Sequence, residues 1–315
     1  MDDIGRHGVA ADRQADVVVR TSGLTKRFGR TVALRDVDLE VRRGEVLGYL
    51  GPNGAGKTTT LRILMGFLRP TAGAAWISGR DTWREAAQVH RDVGYLAGEP
   101  ALHDRLSGRE HVRATARLRG HDDLRRALRV AERLDLDLDR PARQLSKGNR
   151  QKLAVVLAFM SDPLLLVLDE PTSGFDPLVQ QEFQALMREH TAAGGCALLS
   201  SHVLGEVQRT ADRIGVLRAG RLVAVEAMSV LRSRSLHRVH ARFDDAVAAD
   251  DFAAVPGIRD LQVTGSTLTC SAPASALDAL VRRMAVHRLT DLECTEADLE
   301  ETFLAYYGAE QADAA

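Results

Sequence analysis

Gly51-Pro52-Asn53-Gly54-Ala55-Gly56-Lys57-Thr58 is the stretch on which the reading of this chain turns. It satisfies the phosphate-cradling pattern G-x-x-x-x-G-K-[ST], and its flanks supply the context that pattern requires. The apolar segment Val46-Leu47-Gly48-Tyr49-Leu50 leads in as a strand, and Leu61, Leu64, Met65 and Leu68 follow at helical spacing. The glycines therefore fall between a strand end and a helix start. There, backbone N–H groups converge on one concavity and the helix dipole adds positive potential. The loop, with the adjoining Thr59, is expected to hold nucleotide phosphates; Lys57 would reach the β- and γ-phosphates and Thr58 would bind Mg²⁺. The chain contains only four lysines (Lys26, Lys57, Lys147 and Lys152) and otherwise uses arginine. A lysine retained at position 57 points to a need for a compact ammonium that fits between phosphate oxygens.

At 315 residues the chain has room for one large and one small domain. Its 42 Lys and Arg balance 43 Asp and Glu, for a net charge of −1, so electrostatics gives no reason to expect a nucleic-acid partner. Cys196, Cys270 and Cys294 are far apart and form no C-x-x-C pair, which reads as free thiols in a reducing compartment without a zinc site. The longest purely apolar run, residues 153–160, is far short of the ~20 residues that cross a bilayer. Residues 1–15 lack the apolar centre of a secretion signal and read as a disordered leader.

From Val17 onward the chain reads as a strand-rich lobe, with alternating segments at Thr31-Val32-Ala33-Leu34 and Val37-Asp38-Leu39-Glu40-Val41. Phe28 lies just before those strands, where it is either a core aromatic or a face on which a base stacks. Residues 74–79 read as a further strand ending in a turn, followed by Val93-Gly94-Tyr95-Leu96-Ala97-Gly98-Glu99-Pro100. A helical region spans about 100–160, with Leu124, Leu128, Ala131 and Leu134 expected on one buried face. Ser146 stands where a helix N-cap belongs, ahead of Lys147, Gly148 and Asn149.

Leu164-Leu165-Leu166-Val167-Leu168 is a continuous apolar strand of the kind buried on both faces of a parallel sheet, and it ends in Asp169-Glu170. Adjacent carboxylates at the mouth of such a strand are costly unless used. Asp169 is expected to hold Mg²⁺ and Glu170 to polarise the attacking water. A turn carrying Asp176 leads into a helix, and the strand Cys196-Ala197-Leu198-Leu199-Ser200-Ser201 delivers His202 to the same end, towards the γ-phosphate. Two segments around residues 214–217 and 221–225 read as a hairpin closing the first domain near Arg234. Residues 235–315 read as a small α+β domain with a strand at 267–271, a stripe of Leu277, Leu280, Val281 and Met284, and a short helix at 299–307.

Together these segments resemble the nucleotide-binding subunit of an ATP-binding cassette transporter across residues 16–234. Residues 51–58 are similar to the Walker A loop, 164–170 to Walker B, 173–176 with Asp176 to the D-loop, and His202 to the switch histidine. Leu145-Ser146-Lys147-Gly148-Asn149-Arg150-Gln151 is similar to the family signature, with Lys147 and Asn149 where glycine and glutamine are commonest. The resemblance implies an α/β P-loop cassette built from a mainly parallel sheet, an antiparallel β-lobe and a helical subdomain. It also implies that Ser146 to Asn149 face the nucleotide of a second copy in a head-to-tail dimer, that Phe28 stacks on adenine, and that catalysis rests on Glu170, His202 and Lys57. Gly98 stands where the family usually has glutamine, and the adjacent Glu99 is expected to take over its contact with Mg²⁺ and water. The variant signature resembles that of drug and polysaccharide exporters, and the C-terminal domain ending in Leu-Glu-Glu-Thr-Phe-Leu-Ala-Tyr-Tyr-Gly resembles the appendage of multidrug or antibiotic exporter ATPases. The implied function is ATP hydrolysis driving a separate permease at the cytoplasmic face of the membrane. The competing expectation is a non-transport cassette ATPase acting on ribosomes or nucleic acid; the single Walker A loop, the lack of sustained heptads and the lack of a basic stripe weigh against it.

Overall fold

The computed structural model describes residues 16–120, 123–234 and 236–296. The leader read at 1–15 and the helix read at 299–307 lie outside the described residues. The chain divides into two compact units, Met1–Val225 and Glu226–Ala315. The division falls within the strand Arg221–Ala227, ahead of the position near Arg234 expected from sequence, and no glycine- or proline-rich linker lies between that strand and the helix Met228–Arg234.

The first unit runs β1 (Val17–Phe28), β2 (Thr31–Val37), β3 (Glu40–Arg42), β4 (Val46–Leu50), α1 (Lys57–Leu64), β5 (Ala72–Ile77), β6 (Arg80–Asp81), α2 (Ala86–Val89) and β7 (Val93–Leu96). It continues through α3 (Gly108–Arg119), α4 (Arg125–Arg133), α5 (Lys147–Phe159), β8 (Leu165–Asp169), α6 (Pro177–Ala192), β9 (Cys196–Ser201), α7 (Leu204–Gln208), β10 (Arg213–Arg218) and β11 (Arg221–Ala227). β1, β2, β3, β5 and β6 form an antiparallel lobe. The other sheet has the order β11-β10-β4-β9-β8-β7, and β10, β4, β9, β8 and β7 pair in parallel. β4, β8 and β9 are buried along their whole length, which is why they read as unbroken apolar runs. One core joins lobe and sheet: Leu61, Ile63 and Leu64 of α1 pack with Val19 and Leu34 of the lobe and with Leu47, Val167 and Leu198 of the sheet. Each fully buried aliphatic side chain contributes about 1.5–3 kcal/mol to that association.

Between β7 and β8 lie the helices α3, α4 and α5. α3 opens with a capping box, in which the Ser107 hydroxyl accepts from Glu110 N–H and the Glu110 carboxylate accepts from Ser107 N–H. Of the stripe expected on α4, Ala131 and Leu134 are buried, but Leu128 is 39% exposed. The inner face of α4 is Ala127, Val130 and Ala131, continued by Leu134.

The second unit contains α8 (Met228–Arg234), β12 (Leu236–Phe243), α9 (Asp250–Ala253), β13 (Arg259–Thr264), β14 (Thr267–Pro273), α10 (Ala274–Met284) and β15 (Leu289–Glu296). From β12 on this is a β-α-β-β-α-β unit with the antiparallel order β13-β14-β12-β15. Val239, Ala241 and Phe243 alternate inward from β12 onto Phe252, Leu268, Leu280 and Met284. α10 buries Ala276, Leu280 and Met284, and Val281 of the expected stripe is largely exposed.

Candidate nucleotide-binding and hydrolysis site

The parallel order brings the carboxyl ends of β4, β9, β8 and β7 side by side, the edge at which open α/β sheets bind ligands. A cleft of about 790 Å³ opens there. Pro52 to Thr59 line it, together with Glu99, Lys147, Asp169, Glu170, Ser173 and His202. Gly51 is buried at the foot of the loop, directly after β4.

Glycine is required at position 56 in particular. Its φ is +112°, and a Cβ there would stand 2.5 Å from the Ala33 carbonyl oxygen. That oxygen belongs to β2, so the lobe seats the loop against the sheet. Gly56 is also the N-cap of α1, whose first turn has no side-chain cap and no acidic residue. Its N–H groups are therefore left for an anion. The loop is braced from behind by Thr60, whose hydroxyl donates to Gly56 O (3.2 Å) and lies 3.2 Å from the hydroxyl of the buried Tyr49. Since the Thr60 proton is spent on Gly56, Tyr49 is the donor to Thr60.

Lys57 is almost fully buried. Its ammonium donates to Gly51 O (2.5 Å) and Pro52 O (3.3 Å), and Glu170 Oε1 lies 3.8 Å away. Burial holds this ammonium below its ordinary pKa, against the opposing pull of Glu170 and Asp169. A cation desolvated in this way interacts strongly with any anion that enters.

Asp169 is 3% exposed, and both its oxygens are engaged. Thr58 Oγ1 donates to Oδ2 (2.9 Å) and Ser200 Oγ donates to Oδ1 (2.5 Å). Glu170 has φ +49° and precedes Pro171, a backbone state that costs about 1–3 kcal/mol and lies far from the extended conformation favoured before proline. Surrounding bonds hold it there. Its N–H donates to Ser200 O (3.1 Å) and its carbonyl accepts from Gln151 Nε2 (3.1 Å). The carboxylate lies between Lys57 and His202, with His202 Nδ1 at 2.9 Å from Oε2. The expected trio of Lys57, Glu170 and His202 is therefore assembled from three separate strand ends.

The other expected residues are distributed as follows. Ser146 caps α5, accepting from Asn149 N–H at 3.2 Å, and only Lys147 of the segment from Ser146 to Asn149 lines this chain's own cleft. Asp176 caps α6 by accepting from Leu178 and Val179 N–H, both at 3.0 Å, with Pro177 as the first helical residue. Phe28 ends β1, lies outside the cleft and is 48% exposed, which removes the core-aromatic alternative. Lys26 Nζ sits 5.0 Å from its ring centroid. Glu99 faces the cleft, and no hydrogen bond or ion pair engages its carboxylate among the described residues. A Cβ added at Gly98 would be 3.5 Å from Asp169 Oδ2, an ordinary contact, so a β-carbon is accommodated there without a clash.

Sequence reasoning missed Ser200, Gln151, Arg62 and Tyr95. Ser200 is placed by strand register, which the sequence does not state: with β8 and β9 in parallel, Asp169 and Ser200 are direct partners. Arg62 and Tyr95 line the cleft from α1 and β7, and burial followed by the Asp169 charge raises the Tyr95 hydroxyl pKa. Nothing in the sequence marks them apart from their neighbours.

A phosphate loop at a parallel strand end, a Thr–Asp pair beside it and a carboxylate between lysine and histidine define a P-loop nucleotide-binding cassette. Comparison with known proteins agrees. The profile of the family described as ABC transporter matches residues 34–173. The daunorubicin resistance ATP-binding protein DrrA3 of Streptomyces coeruleorubidus is 36% identical over 307 residues, covering 93% of this chain and 97% of that protein. The bacitracin transport ATP-binding protein BcrA of Enterococcus faecalis is 30% identical, covering 93% and 97%. Among solved structures, an ATP-binding subunit of an ABC transporter is 31% identical with a TM-score of 0.65, covering 69% of this chain and 92% of that one. A bacterial ABC transporter cassette solved as a dimer shares the fold, with a TM-score of 0.63 at 24% identity over 67% of this chain and 98% of its own. The chain belongs to the ABC transporter family, as an ATP-binding cassette ATPase.

Proposed function

We propose that this chain is the ATP-hydrolysing motor of an exporter for drug-like or antibiotic molecules, working as a head-to-tail pair on a separate transmembrane permease at the inner face of the cell membrane. The observation that carries the reading is the Asp169-Glu170 pair, held between Thr58, Lys57 and His202 at the mouth of the phosphate loop. Export is supported by relatives named for daunorubicin resistance and bacitracin transport, which match along 93% of the chain. No described helix is long and apolar enough to cross a membrane, and the reading assigns translocation to the permease.

In this scheme the phosphates of ATP accept hydrogen bonds from the N–H groups of the loop and draw Lys57 away from Gly51 O and Pro52 O. Adenine stacks on Phe28. Thr58 and Asp169 offer hard oxygen donors that suit Mg²⁺, which would neutralise phosphate charge when bound. Glu170 accepts a hydrogen bond from the attacking water and polarises it, and His202 keeps that carboxylate aimed at the γ-phosphate. Glu99 fills the role of the missing glutamine, in the cleft that Asp169 also lines. Ser146 to Asn149 of a second copy close over the nucleotide, and Asp176 anchors the helix after the catalytic strand. The near-neutral net charge supports neither a ribosome nor a nucleic-acid target. Phosphate release from Mg-ATP tests the reading: Lys57→Ala should lower turnover by at least ~10²-fold, the scale of losing a preorganised charge. Unchanged turnover at saturating ATP would refute the assignment of the loop.

A further inference from the structure

α5 does more than carry the signature-like turn at its start. Gln151, one turn further in, is 3% exposed, and its Nε2 donates to the carbonyls of Glu170 (3.1 Å) and Pro171 (3.2 Å). Both amide hydrogens are thus used on two successive carbonyls of the segment that bears the carboxylate. That segment needs holding, because Glu170 is in a left-handed conformation that persists only where its surroundings over-determine it. Ser200 of β9 fixes the N–H side of Glu170 and Gln151 of α5 fixes the carbonyl side. The same helix meets the chain again one turn earlier. A Cβ at Gly148 would stand 2.9 Å from Gly174 O, so the first turn of α5 lies directly on the backbone of the loop leading into α6.

We propose that Gln151 is a positioning residue for Glu170, through which the placement of α5 sets the aim of the carboxylate in the same chain. The inference rests on the reading of Glu170 as the group that polarises water. It has a consequence for the pair: whatever the first turn of α5 touches in a second copy is felt at this chain's own Glu170, through a rigid path of one side chain and two carbonyls.

The test uses the full chain and four variants: Gln151→Met, which keeps bulk and removes both donors, Glu170→Gln, the two combined, and Gln151→Glu. Phosphate release gives kcat and KM, and a fluorescent ATP analogue gives affinity. Gln151→Met should lower kcat about 10- to 100-fold, as for a displaced catalytic base, while KM and affinity stay within about threefold. The combined variant should fall no further than about twofold below Glu170→Gln, because both changes act through one carboxylate. Gln151→Glu, which trades the donors for an acceptor at the same length, should show the same split and replaces Gln151→Met if that variant does not fold. Three results would overturn the inference: wild-type kcat in Gln151→Met beside an inactive Glu170→Gln, parallel loss of affinity and kcat, or losses that multiply in the combined variant. Wild-type turnover in Glu170→Gln would instead refute the underlying reading, and the inference would fall with it.

Discussion

Gly56→Ala should damage this protein far more than an alanine at a glycine of positive φ that stands in open space, and the structure says by how much. At φ +112° an L residue is strained by about 1–3 kcal/mol. Its Cβ would also lie 2.5 Å from Ala33 O and 2.7 Å from Leu34 Cδ2. The leucine can turn away, but the carbonyl is backbone of β2 and cannot. Relieving that overlap costs about another 1–3 kcal/mol and pushes the loop out by roughly 0.5–1 Å. A displacement of that size costs about 10²-fold in rate where reacting groups must be held in line. Gly79→Ala is the control, since Gly79 has φ +76° with nothing within 4 Å of an added Cβ and lies in the turn between β5 and β6. It should lose only about 1–2 kcal/mol. Urea unfolding and phosphate release measure both terms. Equal stability losses in the two variants, or turnover of Gly56→Ala within threefold of wild type, would refute the argument that the Ala33 carbonyl seats the loop.

Other outcomes follow from the same geometry. Gly98→Gln should fold with stability within about 0.5 kcal/mol of wild type, as its Cβ meets Asp169 at an ordinary 3.5 Å, and it should lessen the roughly tenfold turnover loss expected of Glu99→Ala. If Glu99→Ala is as active as wild type, the loop after β7 has no part in hydrolysis. A thiol reagent at pH 8 should modify only the exposed Cys294 in the native protein and all three cysteines in denaturant. Burial pushes the Cys196 thiol up to about 12 and the Cys270 thiol up to about 11. Burial also holds the His190 imidazole below its ordinary value, where it bonds Cys196 O and meets the Phe159 ring. The unfolded chain takes up this proton near pH 6.5 and the native chain does not. Stability from this group is therefore present above about pH 6.5 and lost as pH falls below it. His190→Gln should flatten that part of the pH–stability curve, and an unchanged curve would show that other groups dominate.

The cassette was legible because its signals are local. A glycine loop between an apolar strand and an amphipathic helix needs no knowledge of the rest of the fold, and Leu164 to Glu170 states its burial in composition alone. What sequence could not show was the register between segments distant in the chain. Ser200 matters because β9 lies beside β8, and Gln151 because α5 runs past residues 170 and 171. Helix phase was also hidden, since Leu124 and Leu128 are larger than Ala127 and Val130 yet α4 turns the smaller residues inward. In the second unit the edge strands β13 and β15 were not read from sequence. β13 mixes exposed polar residues with half-buried ones, while Leu292 of β15 remains 40% exposed.

The measurement that tests the central claim most directly is the mass of the Glu170→Gln protein by sedimentation, with and without Mg-ATP. Glutamine keeps the side-chain shape and removes the carboxylate proposed to polarise water. Turnover should then fall ~10²–10⁴-fold while ATP still binds. With hydrolysis blocked, two ATP molecules held between Lys57 of one copy and Ser146 and Gly148 of the other should accumulate a dimer. Adding Ser146→Arg, which sets bulk and charge against the opposite γ-phosphate, should return it to monomer with ATP still bound. A Glu170→Gln protein that remains monomeric at every ATP concentration would contradict self-pairing and place the second half of the site on another subunit.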